Sequence, residues 1–297
     1  MNGLLDVFYQ RKEELYQLFL QHMEMTAIAV LLSVCIGIPL GILITKNKKA
    51  SGIVIGTANL MQSIPSIGLL AFLVPIVGIG EKPAIIMVII YALLPIIKNT
   101  YIGITGIDPL TVESANGIGL SKMQSLFQIQ IPIAMPYIMA GIRISAVTAV
   151  GTVTIAAFAG AGGLGWFINL GLNANDPDLV LLGAIPACLL ALVVDFILGK
   201  AEAVLTPEGL KAADKIHYRT RKEQNRRIAG AVVFFVIIFL FPVVHTLVAN
   251  LREKQDTLVV GSENFTEAII LGNIYSQLIQ NQTDIQVEER LNLNGTM

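Results

Sequence analysis

Apolar positions in this chain fall in long blocks that charge scarcely interrupts, with short polar stretches between them. The blocks lie at 25–45, 52–80, 83–104, 136–159, 179–199 and 228–250. A helix needs about 20 apolar residues to cross the hydrocarbon core of a bilayer, so each block predicts one membrane span. Block 83–104 carries Lys98 near one end. Block 52–80 is longer than a span requires and contains Pro65 and Pro75, which predicts a broken or re-entrant end. Before the first block, Leu4, Leu5, Phe8, Leu15, Leu18 and Phe19 recur at roughly helical spacing among charges. Two readings of that segment stand: an interfacial helix on the outer surface, and a frayed terminus.

After Asn250 the pattern changes. Residues 257–260 form a β-rich run, 261–264 a turn, and 266–280 a helical period through Ala268, Ile269, Leu271, Ile274, Leu278 and Ile279. Residues 285–290 then alternate apolar and polar like a strand. This is the opening β-α-β of an α/β unit, and it reaches Met297 before such a unit buries a core of its own. The expected organisation is an N-terminal segment at 1–24, a membrane core at 25–227 containing a cytoplasmic loop at 108–135, a sixth span at 228–250, and an external lobe beginning at 251.

Composition agrees with the pattern. Hydrophobic residues make up 54% of the chain, charged residues 14%, and mean hydropathy is +0.70. Soluble domains average about 25% charge, so this is an integral membrane protein. The net charge of −1 carries no message about nucleic acid, because the charges are segregated by topology. Lys46, Lys48 and Lys49 follow the first span, and eight Lys and Arg residues lie between Lys200 and Arg227, whereas 160–179 has none. Positive residues mark cytoplasmic loops, which puts 108–135 inside and both termini outside. Cys35 and Cys188 lie within apolar blocks and read as buried free thiols rather than a disulfide. No secretory signal peptide is evident, since the first block is too long for one. No residue is assigned to catalysis or to a metal.

Between two spans sits a polar, helix-forming unit: Glu113-Ser114-Ala115, three residues, Gly119, nine residues, then Ile129-Gln130-Ile131-Pro132. A rigid helix–turn–helix here suits docking to a soluble partner. Thr111 is placed to cap the first helix, Gly117 and Gly119 to permit the turn, and Pro132 to stop the second helix. The alternative is an ordinary solvated loop. No G-x-x-x-x-G-K-[ST] run occurs, and the nearest Gly/Lys cluster, at 78–83, lacks its spacing. Any ATP hydrolysis therefore belongs to another chain.

Polar residues inside the spans offer a pathway. Asn59, Gln62, Ser63 and Ser66 surround Pro65, and Thr148, Thr152 and Thr154 accompany Gly151. They either line a water-filled route or bond within packed helices. Arg143 and Asp195 are charges well inside their spans, and they either pair near an inner gate or snorkel separately. Gly37 and Gly41 offer a small-xxx-small face for helix packing, and 160–166 reads as a flexible external loop anchored by Trp166. In the terminal lobe, Ser262, Asn264, Phe265, Thr266 and Glu267 gather at a helix N-terminus, with Asn294 and Thr296 after the next strand. Backbone N–H groups there suit a carboxylate and the Phe265 ring a cation.

The loop resembles the "EAA" loop of ABC-importer permeases, Glu-Ala-Ala, three residues, Gly, nine residues, Ile-x-Leu-Pro. Ser114 replaces the middle Ala and Ile131 the Leu. Residues 62–72, 92–100, 139–143 and 156–165 are similar to permeases of osmoprotectant importers, which carry glycine betaine, carnitine or choline. The tail from Val260 to Thr296 resembles the start of that family's substrate-binding domain, a fusion also seen in ergothioneine importers. The resemblance implies an all-α polytopic membrane protein, a type I permease of about six transmembrane helices, followed by the first β-α-β of an extracellular binding domain whose bulk is absent. It implies a homodimeric channel in the bacterial plasma membrane, working by alternating access. Two cytoplasmic ATPase subunits would hold ATP and Mg, leaving no cofactor in this chain. Glu113, Ser114, Ala115, Gly119, Ile129, Ile131 and Pro132 would form the coupling element. Two other classes remain open on the residues alone. A ligand-gated channel has no need of the 113–132 unit, and a secondary transporter favours repeated halves and embedded carboxylates.

Overall fold

A computed structural model describes residues 3–210, 230, 257–263, 266–282 and 286–293. The chain divides into two compact units, Met1–Val243 and Val244–Met297.

In the first unit, α1 (Leu4–Ile44) runs 41 residues. At 1.5 Å per residue it is about 60 Å long, twice the hydrocarbon thickness. It therefore continues well past the block at 25–45. From Leu4 onward the segment at 1–24 is therefore continuous with the first span rather than frayed. From Leu4 it is helical, kinked at Arg11 (φ −116°, ψ 17°), and Leu4, Val7, Leu15 and Leu18 pack against buried Phe167, Leu179 and Leu182. Block 52–80 becomes two helices, α2 (Lys48–Ser63) and α3 (Ser66–Val77), bent by 96° at the Pro65 break. Proline removes a donor and disfavours helix in the residue before it, which accounts for the bend at Ile64.

Next come α4 (Glu81–Thr105), the short α5 (Pro109–Gly117) and α6 (Lys122–Ser125). A π-helical turn at Leu126–Gln130 leads into α7 (Ile131–Ala156). The loop expected to be flexible at 160–166 leads at Gly165 into α8 (Gly165–Ala174), seated by the fully buried Phe167, and α9 (Pro177–Leu205) follows. Among the described residues four helices are long and apolar enough to cross a membrane, five if the bent pair is one span. Apart from residue 230, the block at 228–250 lies outside the described residues.

The core forms where α1, α3, α4, α7 and α9 meet, around Val30, Met87, Val88, Val150, Val153 and Leu198. Small residues set the closest approach. A Cβ on Gly37 would lie 2.8 Å from Ile96 Cγ2, and one on Gly41 2.7 Å from Thr100 Cβ. Gly37 and Gly41 therefore let α1 lie directly on α4. Polar side chains buried in this core bond to carbonyls: Thr26 to His22, Ser33 to Ala29, and Ser145 across to Ala92 at 2.6 Å. Cys35 and Cys188 differ from expectation. Both are free, but both are exposed on the outside of this chain.

In the second unit β1 (Thr257–Glu263) and β2 (Gln286–Leu293) pair in parallel, joined by α10 (Thr266–Gln282). The ladder runs from Thr257↔Gln286 to Glu263↔Leu293, so both carboxyl ends lie on one edge. The expected β-α-β is present.

Candidate coupling surface and transport pathway

The loop between α4 and α7 is built by local capping. Asp108, not Thr111, caps α5: its carboxylate accepts the N–H of Leu110 at 3.0 Å, with Pro109 in the first turn. Proline at that position has no N–H to satisfy, so the residue before it is the natural cap. Thr111 sits inside the helix, its N–H bonded to the Asp108 carbonyl at 2.9 Å. At the far end Ile118 N–H returns to Ser114 O at 3.1 Å and Leu120 N–H to Ala115 O at 3.2 Å, with Gly119 at φ +88° between them. This is the left-handed exit that glycine supplies at a helix C-terminus. Ser121 and Gln124 then form a reciprocal capping box that starts α6.

Pro132 does not stop the second helix. It lies in the first turn of α7, and the widened turn before it, closed by Ile131 N–H to Leu126 O, carries the chain through. Proline's ring crowds the preceding turn, and a π-turn relieves that crowding without ending the helix. Glu113 and Ser114 face outward while Ala115 is buried. Ile129, Ile131 and Pro132 are half-buried, and Ile131 packs toward Ile96 and Ala134. The outward apolar residues are different ones. Leu110 is 67% exposed, Ile118 79%, Met123 62% and Phe127 59%. Leu110, Ser114 and Ile118 share one face of α5 by spacing, and Met123 and Phe127 are likewise four apart. These four were missed in the sequence. The signal was apolar residues at i, i+4 within an otherwise polar loop.

Arg143 on α7 and Asp195 on α9 come together in a two-pronged ion pair. Nε reaches Oδ1 at 2.5 Å and Nη2 reaches Oδ2 at 2.6 Å. The guanidinium lies over Gly199, where a Cβ would stand 3.3 Å from Cζ, and Nη1 is 3.7 Å from Glu202 Oε2. Glu202 was not foreseen, because the block at 179–199 ends before it. Residues 195, 199 and 202 share one face of α9, and their spacing was the available signal.

The pathway candidates form two groups. At the α2–α3 break, Gln62 donates to the Tyr91 carbonyl at 2.9 Å, Ser63 bonds back to Leu60 O at 2.7 Å, Asn59 is exposed and Ser66 half-buried. Tyr91, also unforeseen, donates its hydroxyl to the Ile64 carbonyl freed by the break. On α7, Thr152 bonds to Thr148 O at 2.8 Å and Thr154 to Gly151 O at 2.6 Å, while Thr148 is exposed. Ser63, Thr152 and Thr154 thus satisfy their own helices. In the second unit Ser262 lies at the end of β1, and Thr266 and Glu267 open α10. Asn264, Phe265, Asn294 and Thr296 lie outside the described residues.

The geometry is that of long apolar helices, long enough to cross a membrane, with a capped, outward-facing helical knob between two of them. The solved MetNI methionine ABC transporter, in an inward-facing form, superposes with a TM-score of 0.57 at 24% identity, over 63% of this chain and 94% of that one. Residues 37–203 match the binding-protein-dependent transport system inner membrane component, and 256–297 match the substrate binding domain of the ABC-type glycine betaine transport system. The chain belongs to the first of these families: it is a permease subunit of an ABC importer, in which ATP hydrolysis falls to a separate subunit. Similar relatives include the carnitine transport permease protein OpuCB of Listeria monocytogenes, 44% identical over 72% of this chain and 98% of the relative. The choline transport system permease protein OpuBB of Bacillus subtilis is 42% identical over 67% and 91%.

Proposed function

We propose that this permease imports small trimethylammonium osmoprotectants, of the carnitine, choline and glycine betaine class. The observation that carries the reading is the joining, in one chain, of a permease core and a segment of glycine-betaine binding-domain type. Relatives described as carnitine and choline permeases, at about 40% identity, point the same way. A quaternary ammonium offers no N–H to a hydrogen-bond acceptor, so selection rests on aromatic faces with polar groups for its other end.

The partner is a cytoplasmic ABC ATPase, which holds ATP and Mg. It docks on the α5–α6 knob, where Leu110, Ile118, Met123 and Phe127 present apolar surface beside Glu113. Two copies of the permease enclose the pathway, with Asn59, Gln62, Ser66 and Thr148 facing it and the Arg143–Asp195–Glu202 cluster at the inner gate. The lysine- and arginine-rich segments lie in the cytoplasm, and both termini lie outside.

Uptake of labelled carnitine, choline, glycine betaine and ergothioneine by the full chain, reconstituted with its ATPase, tests this. Accumulation of a trimethylammonium solute that requires ATP is the expected result. Uptake without nucleotide, or uptake of none of the four, overturns it.

A further inference from the structure

The segment joining α7 to α8 is held by side chains from a distant part of the chain. Gly160, Gly162 and Gly163 have φ of +71°, +74° and +68°, and these left-handed turns fold 160–165 back on the end of α7. The fold is tight. A Cβ on Gly165 would lie 2.1 Å from the Thr154 carbonyl oxygen.

Into this fold α1 inserts two consecutive residues. Gln21 Oε1 accepts the Gly163 N–H at 2.9 Å, and Gln21 Nε2 donates to Glu81 Oε1, at the start of α4, at 2.6 Å. His22 is fully buried. Its Nδ1 takes the Leu164 N–H at 3.3 Å and its Nε2 meets the Val150 carbonyl at 3.1 Å. A backbone N–H only donates and a carbonyl only accepts, so together these contacts require a neutral imidazole protonated at Nε2. Gly80 N–H adds a bond to Ala159 O at 2.9 Å. One short segment thus ties together α1, α4 and α7. Apolar packing adds to these bonds, since Ala161 belongs to the hydrophobic core and Leu164 is fully buried, but the polar ties are the ones that fix the Gly163 and Leu164 amides. The segment continues directly from the turns of α7 that carry Thr148, Thr152 and Thr154.

We propose that Gln21, His22 and Glu81 form a latch that holds residues 160–165 over this end of α7 and closes the transport pathway there. The inference rests on the permease reading. The three act as positioning residues: they fix the segment and touch no solute.

Reversing the polarity of one contact tests it. Gln21→Glu keeps an acceptor for Gly163 but sets a carboxylate against Glu81. Adding Glu81→Gln restores a donor–acceptor pair with its direction reversed. Independently of whether Gln21→Glu folds, His22→Phe fills the space without hydrogen bonds, while His22→Gln returns one donor and one acceptor. The full chain, assembled with its ATPase in lipid nanodiscs, is followed by deuterium exchange of 160–165 and by its rate of ATP hydrolysis. Gln21→Glu and His22→Phe are expected to speed exchange at Gly163 and Leu164 about tenfold and to change hydrolysis about threefold. The double variant and His22→Gln are expected to return both readouts toward wild type. Exchange that does not move, or a double variant no better than Gln21→Glu, overturns the latch. So does exchange that follows the pairing while hydrolysis stays equal in all variants, which marks a static tie. Neither readout uses a solute, so absent uptake of osmoprotectants counts against the functional reading and not against the latch.

Discussion

The two ends of α7 are built in opposite ways. At its N-terminal end, Asp108, Gly119, Ser121 and Gln124 make bonds that span five residues or fewer, and the element they shape turns apolar side chains outward. At its C-terminal end the chain is held by Gln21 and His22, 142 residues away from the amides they bind, and Ala161, Gly163, Leu164 and Gly165 are buried while Phe158 and Gly160 stay exposed. A self-sufficient knob suits a surface that must meet another protein. A segment that adds side-chain bonds from α1 to its own local turns suits a part whose position is set by its neighbours. The difference teaches that these two connections, a long one that closes on itself and a short glycine-rich one tied to α1, are not interchangeable.

The comparison breaks most sharply at Glu113. Glu113→Lys at the exposed knob is expected to lower ATP-driven uptake by tenfold or more, as expected for reversing a charge at a docking surface, while thermal stability in detergent is unchanged. Retained uptake, or a loss of stability that parallels the loss of uptake, would mean the knob is a structural part and not a docking surface. Second, Arg143→Ala leaves Asp195 and Glu202 facing each other without a cation, and the melting temperature should fall by several degrees, with the charge-swapped Arg143→Asp/Asp195→Arg recovering part of the loss. A swap no better than either single change would dissolve the pairing.

Third, Gly162→Ala should destabilise more than Gly119→Ala. At Gly162 the added Cβ would meet Gln21 Oε1 at 2.2 Å as well as a φ of +74°, whereas at Gly119 nothing lies within 4 Å and only the φ of +88° is strained. Gly119→Ala is expected to cost about 1–2 kcal/mol from that conformation alone. Equal melting temperatures for the two variants would mean that the Gln21 contact is not made. The smallest effect belongs to Gly117→Ala, whose backbone is helical and whose surroundings are open; it should be neutral or stabilising by at most about 1 kcal/mol.

Much of the fold was legible in the sequence. Apolar blocks marked α1, α4, α7 and α9 because a bilayer demands long charge-poor runs, and Pro65 marked the break between α2 and α3. The β-α-β of the second unit followed from its change of period. The errors were informative. Thr111 was chosen as a cap on residue type, when the neighbouring Asp108-Pro109 pair was the stronger signal. Pro132 was read as a stop, and a π-turn carries the helix past it. Of the two readings of the segment at 1–24, the frayed one gives way from Leu4 onward to a helix continuous with the first span, which packs beside Phe167.

The sequence by itself determined where the long apolar helices run and where the α5–α6 knob starts and turns. Those outcomes depend on residues within one or two turns of each other and on the solvent each block must face. Tertiary structure alone decided that Arg143 meets Glu202 as well as Asp195, that Tyr91 satisfies the broken carbonyl of Ile64, and that Gln21 and His22 clasp a glycine-rich segment far along the chain. The reason is geometric. A hydrophobic pattern sets which residues lie in a helix, but the rotation and depth at which helices pack determine which polar groups come within 3 Å, and no local pattern encodes those two numbers.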